Sequence, residues 1–171
     1  YMKNNVIAAV EDNAKIDFVE QKEQLGTGHA VMISDPLITD PNQDVLILCG
    51  DVPLLSAKTL IQLYEEHKRS AAACSVLTAF LDDAGKYGRI LRDATGKICA
   101  IKEYKDASEE QRNIKEWNTG IYCFMAGELF SALKKTSNHN QQGEYYLTDT
   151  IEILYQQGKN ISNVVLEDLM E

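Results

Sequence analysis

The chain has no C-x-x-C pair, no apolar run near the length of a membrane span, and no excess of basic residues. Each absence argues against a class of function. The four cysteines, Cys49, Cys74, Cys99 and Cys123, lie in or beside apolar runs. That placement argues against a disulfide framework or a zinc site and for free thiols in a reducing cytosol. His29, His67 and His139 are scattered without metal-ligand spacing. A membrane-spanning helix needs roughly 20 apolar residues, and no run approaches that. No signal-peptide pattern opens the sequence, so the expected location is cytoplasmic. With 17 basic against 26 acidic residues the net charge is −9 and the pI about 4.8. A general nucleic-acid or anionic-membrane binder needs a basic face, so neither partner is expected. Net charge leaves open a single basic cleft.

What is present is an ordinary globular composition, 44% hydrophobic and 25% charged over 171 residues, enough for one domain with a real core. Ile16-Asp17-Phe18-Val19 is a short strand candidate. Gly26 to Ser34 reads as a tight turn entering a helix. Val45 to Cys49 is a continuous apolar run, the pattern of a strand buried on both faces of a parallel sheet. Ser56 is a good N-cap for a helix to about Lys68, with Leu60, Leu63 and Tyr64 inward. Cys74 to Phe80 is another strand. Arg89 to Arg92 and Lys97 to Ile101 flank Asp93-Ala94-Thr95-Gly96 and predict a hairpin, with Gly96 at positive φ. Gly120 to Met125 reads as a strand, 127–134 as a helix, 136–143 as a loop, 144–157 as a helix and 161–165 as a strand. The alternation gives an α/β three-layer, Rossmann-like fold with a mostly parallel sheet and an inserted β-hairpin.

Two motifs stand out: Gln21 followed by Glu23-Gln24-Leu25-Gly26-Thr27-Gly28-His29-Ala30, and Gly50-Asp51-Val52-Pro53-Leu54. The first could be a plain helix entry with Thr27 as N-cap, or a turn offering backbone N–H groups to an anion. It is not a P-loop, since no Gly-Lys-Ser/Thr follows. The second could be an ordinary strand-end turn. Its Val-Pro-Leu-Leu continuation favours a held carboxylate, because Pro53 stiffens the loop. Gly88 is either a turn glycine or a close backbone approach to a ligand. Glu103 is either a solvated strand end or an acceptor for sugar hydroxyls. Asn118 offers an amide that donates and accepts. Tyr145 and Tyr146 read more readily as core and surface aromatics than as ligand contacts.

In open α/β sheets ligands bind beyond the carboxyl ends of the strands. Asp51, Gly88, Glu103 and Asn118 are therefore expected along one concave cleft. Asn118 precedes its strand and reaches that edge only if the strand runs opposite to its neighbours. Asp51 and Asn118 on opposite faces of the sheet would sink a sugar-nucleotide assignment.

In this order the motifs are specific. The chain resembles, over nearly its whole length, the pyrophosphorylase (uridyltransferase) domain of the bacterial bifunctional N-acetylglucosamine-1-phosphate uridyltransferase / glucosamine-1-phosphate acetyltransferase family. The matching strings are the two above, Tyr87-Gly88-Arg89-Ile90, Glu103 with Lys105-Asp106-Ala107, Asn118-Thr119-Gly120, and Gln142-Gly143-Glu144-Tyr145-Tyr146-Leu147-Thr148-Asp149. The resemblance implies a nucleotidyltransferase fold and the magnesium-dependent conversion of UTP and N-acetylglucosamine 1-phosphate to UDP-N-acetylglucosamine and pyrophosphate. That product feeds peptidoglycan and lipopolysaccharide synthesis. By motif, Gln21, Gly26 and Thr27 would hold the uracil. Asp51 would ligate Mg2+ and be the catalytic carboxylate, with Cys49 and Gly50 on the same edge, although position 49 departs from the Tyr of some members. Gly88, Glu103 and Asn118 would contact the sugar, with Tyr146 and Thr148 nearby.

The family also opens with a Gly-x-Gly-Thr-Arg-Met phosphate loop and a downstream Pro-Lys, and nothing in residues 1–14 matches them. It places a second magnesium-binding Asn beyond the equivalent of Glu171. Residues 1–171 therefore read as one partial pyrophosphorylase domain, incomplete at the N-terminus, lacking the acetyltransferase domain and nearly inactive alone. Two alternatives stand beside this: a non-catalytic binding or assembly module, and a uridylyltransferase for another sugar 1-phosphate such as glucose 1-phosphate. The partners implied are the two small-molecule substrates, and a homo-oligomer is compatible with the sequence.

Overall fold

The computed structural model describes residues 7–8, 16–52 and 54–169. The expectation for Pro53, and the comparison of residues 1–14 with a phosphate loop, fall outside or largely outside them. In chain order the elements are α1 (Thr27–Met32), a 3-10 turn (Asp35–Leu37), β1 (Asp44–Ile47), α2 (Ala57–Ser70), β2 (Cys74–Phe80), β3 (Arg89–Arg92), β4 (Ile98–Lys102), α3 (Glu109–Arg112), β5 (Glu116–Met125), α4 (Ala126–Leu133), α5 (Asp149–Gln156) and β6 (Ile161–Val165). The sheet runs β4-β3-β5-β2-β6, with β1 added on β5.

The three-layer α/β class is as read from the sequence, but the sheet is mixed rather than mostly parallel. β2 and β6 pair in parallel, while β5 is antiparallel to β1, β2 and β3. One side of β5 pairs with β2. The other side is shared, by β1 along Tyr122 to Met125 and by β3 at Trp117. β1 was expected to be buried on both faces. It is instead half-buried, with Leu46 and Leu48 exposed. Its apolar run does not alternate because it continues past the ladder into the loop that leads to Asp51. Ile16 to Val19 is not a strand, since no ladder partner meets it. Residues 144–148 are not helical, and α5 begins only at Asp149. The β3–β4 hairpin forms as expected, with Gly96 at φ 86°.

Side chains alternate across a strand, so β5 has two faces. Tyr122 and Phe124 join Val76, Leu129 and Ile151 under α4 and α5. Ile121 and Cys123 join Leu77 and Leu63 under α2. Ser56 caps α2, its hydroxyl accepting from the Thr59 N–H at 3.2 Å. Helix α2 exists mainly through Leu63, wholly buried against that second face, a burial worth roughly 1.5–3 kcal/mol.

His67 ties α2 to the sheet. Its Nδ1 lies 2.9 Å from Ser75 Oγ and its Nε2 3.4 Å from Asp44 Oδ1, while Ser75 Oγ lies 2.6 Å from Ser162 Oγ. The Ser-His-Asp order resembles a hydrolytic triad, but Ser75 is completely buried, so no substrate reaches its hydroxyl. The cluster is a polar clamp joining α2, β1, β2 and β6. Burial pushes the His67 imidazole below its ordinary value, against the opposing pull of Asp44. The neutral ring therefore belongs to the fold, and the unfolded chain takes up the proton more readily. Stability conferred by the neutral ring is complete above the unfolded histidine value of about 6.5 and is lost progressively as pH falls from there through the lowered folded value. A pH series of thermal melts should show Tm falling in that window, with the slope flattened in His67→Gln. An unchanged slope in the variant would assign the effect to other groups.

Candidate functional site

The turn 25–28 is built to touch another backbone. Gly28 N–H donates to Tyr145 O at 2.8 Å, and Tyr145 N–H donates to Leu25 O at 2.7 Å. A Cβ on Gly26 would stand 2.6 Å from Tyr145 O, and one on Gly28 would stand 2.9 Å from the same oxygen. Gly26 also sits at φ 105°, which L side chains avoid. Gly26, not Thr27, is the N-cap, and the Thr27 hydroxyl instead accepts from Leu147 N–H at 3.1 Å. Of the N–H groups at this helix start, that of Gly28 is already spent on Tyr145 O.

Gln21 donates through Nε2 to Gly26 O at 3.1 Å and lies 3.0 Å from His29 Nδ1. Both amide hydrogens are then engaged, and Oε1 is left to accept. Beside this turn opens a cavity of about 290 Å³, lined in part by Thr27, Cys49, Glu103, Asn118, Tyr122 and Thr148. Its polar residues come from α1, the end of β1, the end of β4, β5 and the loop before α5.

The requirement on Asn118 is met, because β5 runs opposite to β1 and β2. Its amide is locked at both ends. Nδ2 donates to Tyr122 Oη at 2.6 Å, and Oδ1 accepts from Gly120 N–H at 3.2 Å. Gly120 stands at φ 81° in a bulge where Leu77 of β2 faces Thr119 to Ile121 of β5. A Cβ there would stand 2.9 Å from Cys49 Sγ, so the glycine lets the β1 loop close over β5. Cys49 donates to Gly120 O at 3.4 Å, and its thiol is pushed up by burial and then by Asp51. Glu103 Oε1 accepts from Thr148 Oγ1 at 3.0 Å. Burial raises the Glu103 carboxyl above the usual carboxylate range, partly offset by the Thr148 hydroxyl, with Asp149, Asp106 and Glu144 adding to the rise.

Other expected residues stand elsewhere. Asp51 lines a second cavity of about 340 Å³ with Tyr87, Trp117, Thr119 and Ile121. Since 118, 120 and 122 face one way along β5 and 117, 119 and 121 the other, the expectation of a single cleft is corrected. By the criterion set from the sequence, this division sinks the geometric argument for a sugar-nucleotide cleft joining Asp51 to Asn118. Asp51 is exposed at the rim, two residues beyond Cys49, which faces the first cavity. Gly50 is exposed with open space about it. Gly88 lies behind Asn118, its carbonyl accepting from Asn118 N–H at 2.9 Å, and a Cβ there would press on Ile101 at 3.3 Å. Its close approach is to protein. Tyr146 lines a smaller cavity of about 150 Å³ behind Glu103, with Asp106, His139 and Asp149. Its hydroxyl accepts from Gln142 Nε2 at 2.9 Å.

Arg89 is buried and spends its guanidinium on carbonyls of Ala84, Gly85, Tyr87 and Arg112, so it offers nothing to a phosphate. Among the described residues no Lys or Arg lines the 290 Å³ cavity. Tyr122 escaped the sequence reading, and Gly120 was read in the Asn118-Thr119-Gly120 motif without a role. Their signal was the period-two spacing Asn118-x-Gly120-x-Tyr122 on a strand.

Comparison with known proteins places this geometry. The pattern of the nucleotidyl transferase family matches residues 2–169, and the chain belongs to that family. Among curated relatives it is 46% identical over 157 residues to the "Bifunctional protein GlmU" of Acetivibrio thermocellus, covering 92% of this chain and 34% of that protein. It is 45% identical over 169 residues to GlmU of Caldicellulosiruptor saccharolyticus, covering 99% and 36%. The chain thus spans about a third of the length of these relatives. A putative glucose-1-phosphate thymidylyltransferase from Bacillus anthracis superposes with a TM-score of 0.74 at 19% identity, covering 96% of this chain and 64% of that one. A UDP-glucose pyrophosphorylase complexed with UDP-glucose superposes with a TM-score of 0.66 at 18% identity, covering 94% and 63%. These two likenesses show the fold.

The glycine contacts give a direct test. Gly28→Ala should push the turn off Tyr145 and cost about 1–3 kcal/mol, as overpacking does. Urea unfolding checks it, and a variant as stable as the parent would mean the turn does not rest on Tyr145.

Proposed function

We propose that the chain carries the uridine- and sugar-binding wall of an N-acetylglucosamine-1-phosphate uridyltransferase, acting on UTP and N-acetylglucosamine 1-phosphate in the cytoplasm. The observation that carries this is the cavity joining Thr27, Cys49, Glu103, Asn118 and Thr148 from five separate segments. The four cysteines are free and suit a reducing compartment. Among the described residues no helix is long and apolar enough to cross a membrane.

In this reading the sugar phosphate oxygen attacks the α-phosphorus of UTP, the α–β anhydride bond breaks and pyrophosphate leaves. No protein nucleophile is needed. Gln21 Oε1 accepts the uracil N3–H, with the Gly26-Thr27 backbone against the base. The Glu103 carboxylate and the Asn118 amide hold sugar hydroxyl and acetamido groups, and the apolar wall of Val31, Ile47 and Leu147 excludes water. For Mg2+ the donor chemistry is suitable, since the ion keeps several waters and takes one or two carboxylates plus substrate phosphates; Asp51, which lines the cavity on the other face of β5, would hold it beside the phosphates only with the loop after β1 turned toward the sugar cavity. Bound there, it would neutralise charge developing on the phosphoryl oxygens. Cys49, held protonated, is not a ligand.

A second reading for the chain by itself, as a module that binds sugar nucleotide with little turnover, is supported by Arg89, whose guanidinium is spent on carbonyls rather than offered to a phosphate. Electrostatic stabilisation is usually the largest catalytic contribution.

Calorimetric titration with UDP-N-acetylglucosamine separates these outcomes when paired with a magnesium-dependent pyrophosphate-release assay. The chain should bind, with Glu103→Gln and Asn118→Ala each weakening affinity roughly tenfold or more. Gln21→Ala should weaken binding of uridine nucleotides selectively. Affinity should also decline as pH falls toward the raised Glu103 value, at a higher pH than for an ordinary glutamate, because only the ionised carboxylate accepts two hydroxyl hydrogens. Absence of binding, or affinity indifferent to all three substitutions, would overturn the assignment. Robust turnover by the chain would overturn the module reading.

A further inference from the structure

The Asn118 amide cannot be reversed without setting Nδ2 against the Gly120 N–H, which now donates to Oδ1 at 3.2 Å. Nδ2 must therefore be the donor to Tyr122 Oη, at 2.6 Å. The phenol oxygen is thereby an acceptor in this bond, and its own hydrogen is still to be given. Among the described residues none lies within hydrogen-bond distance to accept it, and Asn118 Nδ2 is the phenol's one partner. Tyr122 is only 2% exposed, yet it forms part of the cavity wall. A buried hydroxyl with an unspent hydrogen costs stability unless a partner arrives. The open space it shares, among the described residues, is the 290 Å³ cavity.

We propose that Tyr122 is a specificity-determining residue of the sugar pocket, donating its hydroxyl hydrogen to a carbonyl oxygen on the ligand while its oxygen holds Asn118 in register. This rests on the sugar-nucleotide reading above and adds to it. A carbonyl oxygen accepts and never donates, so it complements a fixed donor. The acetamido carbonyl at the sugar 2-position is such a group; a 2-hydroxyl oxygen also accepts, but it is a weaker acceptor than an amide carbonyl and lies closer to the sugar ring. Sites built on buried hydrogen bonds reject analogues that leave them unpaired. The pair Asn118–Tyr122 would thus favour a 2-acetamido sugar over a 2-hydroxy sugar.

Tyr122→Phe removes only the hydroxyl and keeps the ring that packs 5.6 Å, centroid to centroid, from Phe124. The chain and this variant are titrated calorimetrically with UDP-N-acetylglucosamine, UDP-glucose and UMP, with Tm recorded for each. The expected result is a loss of about tenfold in affinity for UDP-N-acetylglucosamine, with UDP-glucose and UMP changed much less. Equal weakening of both sugar nucleotides would make Tyr122 merely structural and overturn the proposal, as would no change at all. If Tyr122→Phe does not fold, Tyr122→Met supplies the same comparison. Failure of the parent chain to bind either sugar nucleotide would instead remove the broader reading, and the proposal with it.

Discussion

The reversed direction of β5 is the constraint on which the site depends. Because β5 is antiparallel to β1 and β2, its first residues lie at the edge where those strands end. Asn118 then meets the loop after β1, and the Gly120 bulge lets Cys49 approach across the top of the strand. Period-two alternation does the rest. Asn118, Gly120 and Tyr122 go to the cavity beside α1, and Trp117, Thr119 and Ile121 go to the cavity that holds Asp51. A one-residue slip of β5 would exchange the two sets and dismantle the site.

A second dependence joins segments far apart in sequence. Gly26 and Gly28 lie directly on the backbone of residues 144–146, with two backbone hydrogen bonds between the segments. Thr27 then takes the Leu147 N–H, and Thr148 takes Glu103. The wall of the cavity is one relay, from the 25–28 turn through the loop before α5 to the end of β4. Its glycines serve contact between protein segments, so their placement says how the wall is built rather than where a phosphate sits.

Much of this was legible in the sequence. A largely apolar run marked β2, Ile161 to Val165 read as the closing strand β6, Asp93 to Gly96 marked the hairpin, and Ser56 marked the start of α2. Glu103, Asn118 and Thr148 were recognised through their motifs, and the structure brings them together. What local signals could not give was strand direction. A short apolar run reads the same whether its neighbours are parallel or antiparallel, so β1 looked doubly buried and the sheet looked mostly parallel. Tyr122 was hidden for a related reason: an aromatic in a strand is ordinarily core, and its hydroxyl matters only once Asn118 is known to lie four residues earlier on the same face. Asp51 was assigned to the Asn118 cleft from its place at a strand end. The strand end was right, but a loop leaving a sheet edge can turn to either face.

The most direct test is a crystal structure of the chain with UDP-N-acetylglucosamine. The sugar should lie in the cavity between Glu103 and Asn118, with its acetamido oxygen within hydrogen-bond distance of Tyr122 Oη and its uracil beside Gln21. A ligand seated instead on the opposite face of β5, against Tyr87 and Trp117, would contradict this assignment of the two cavities.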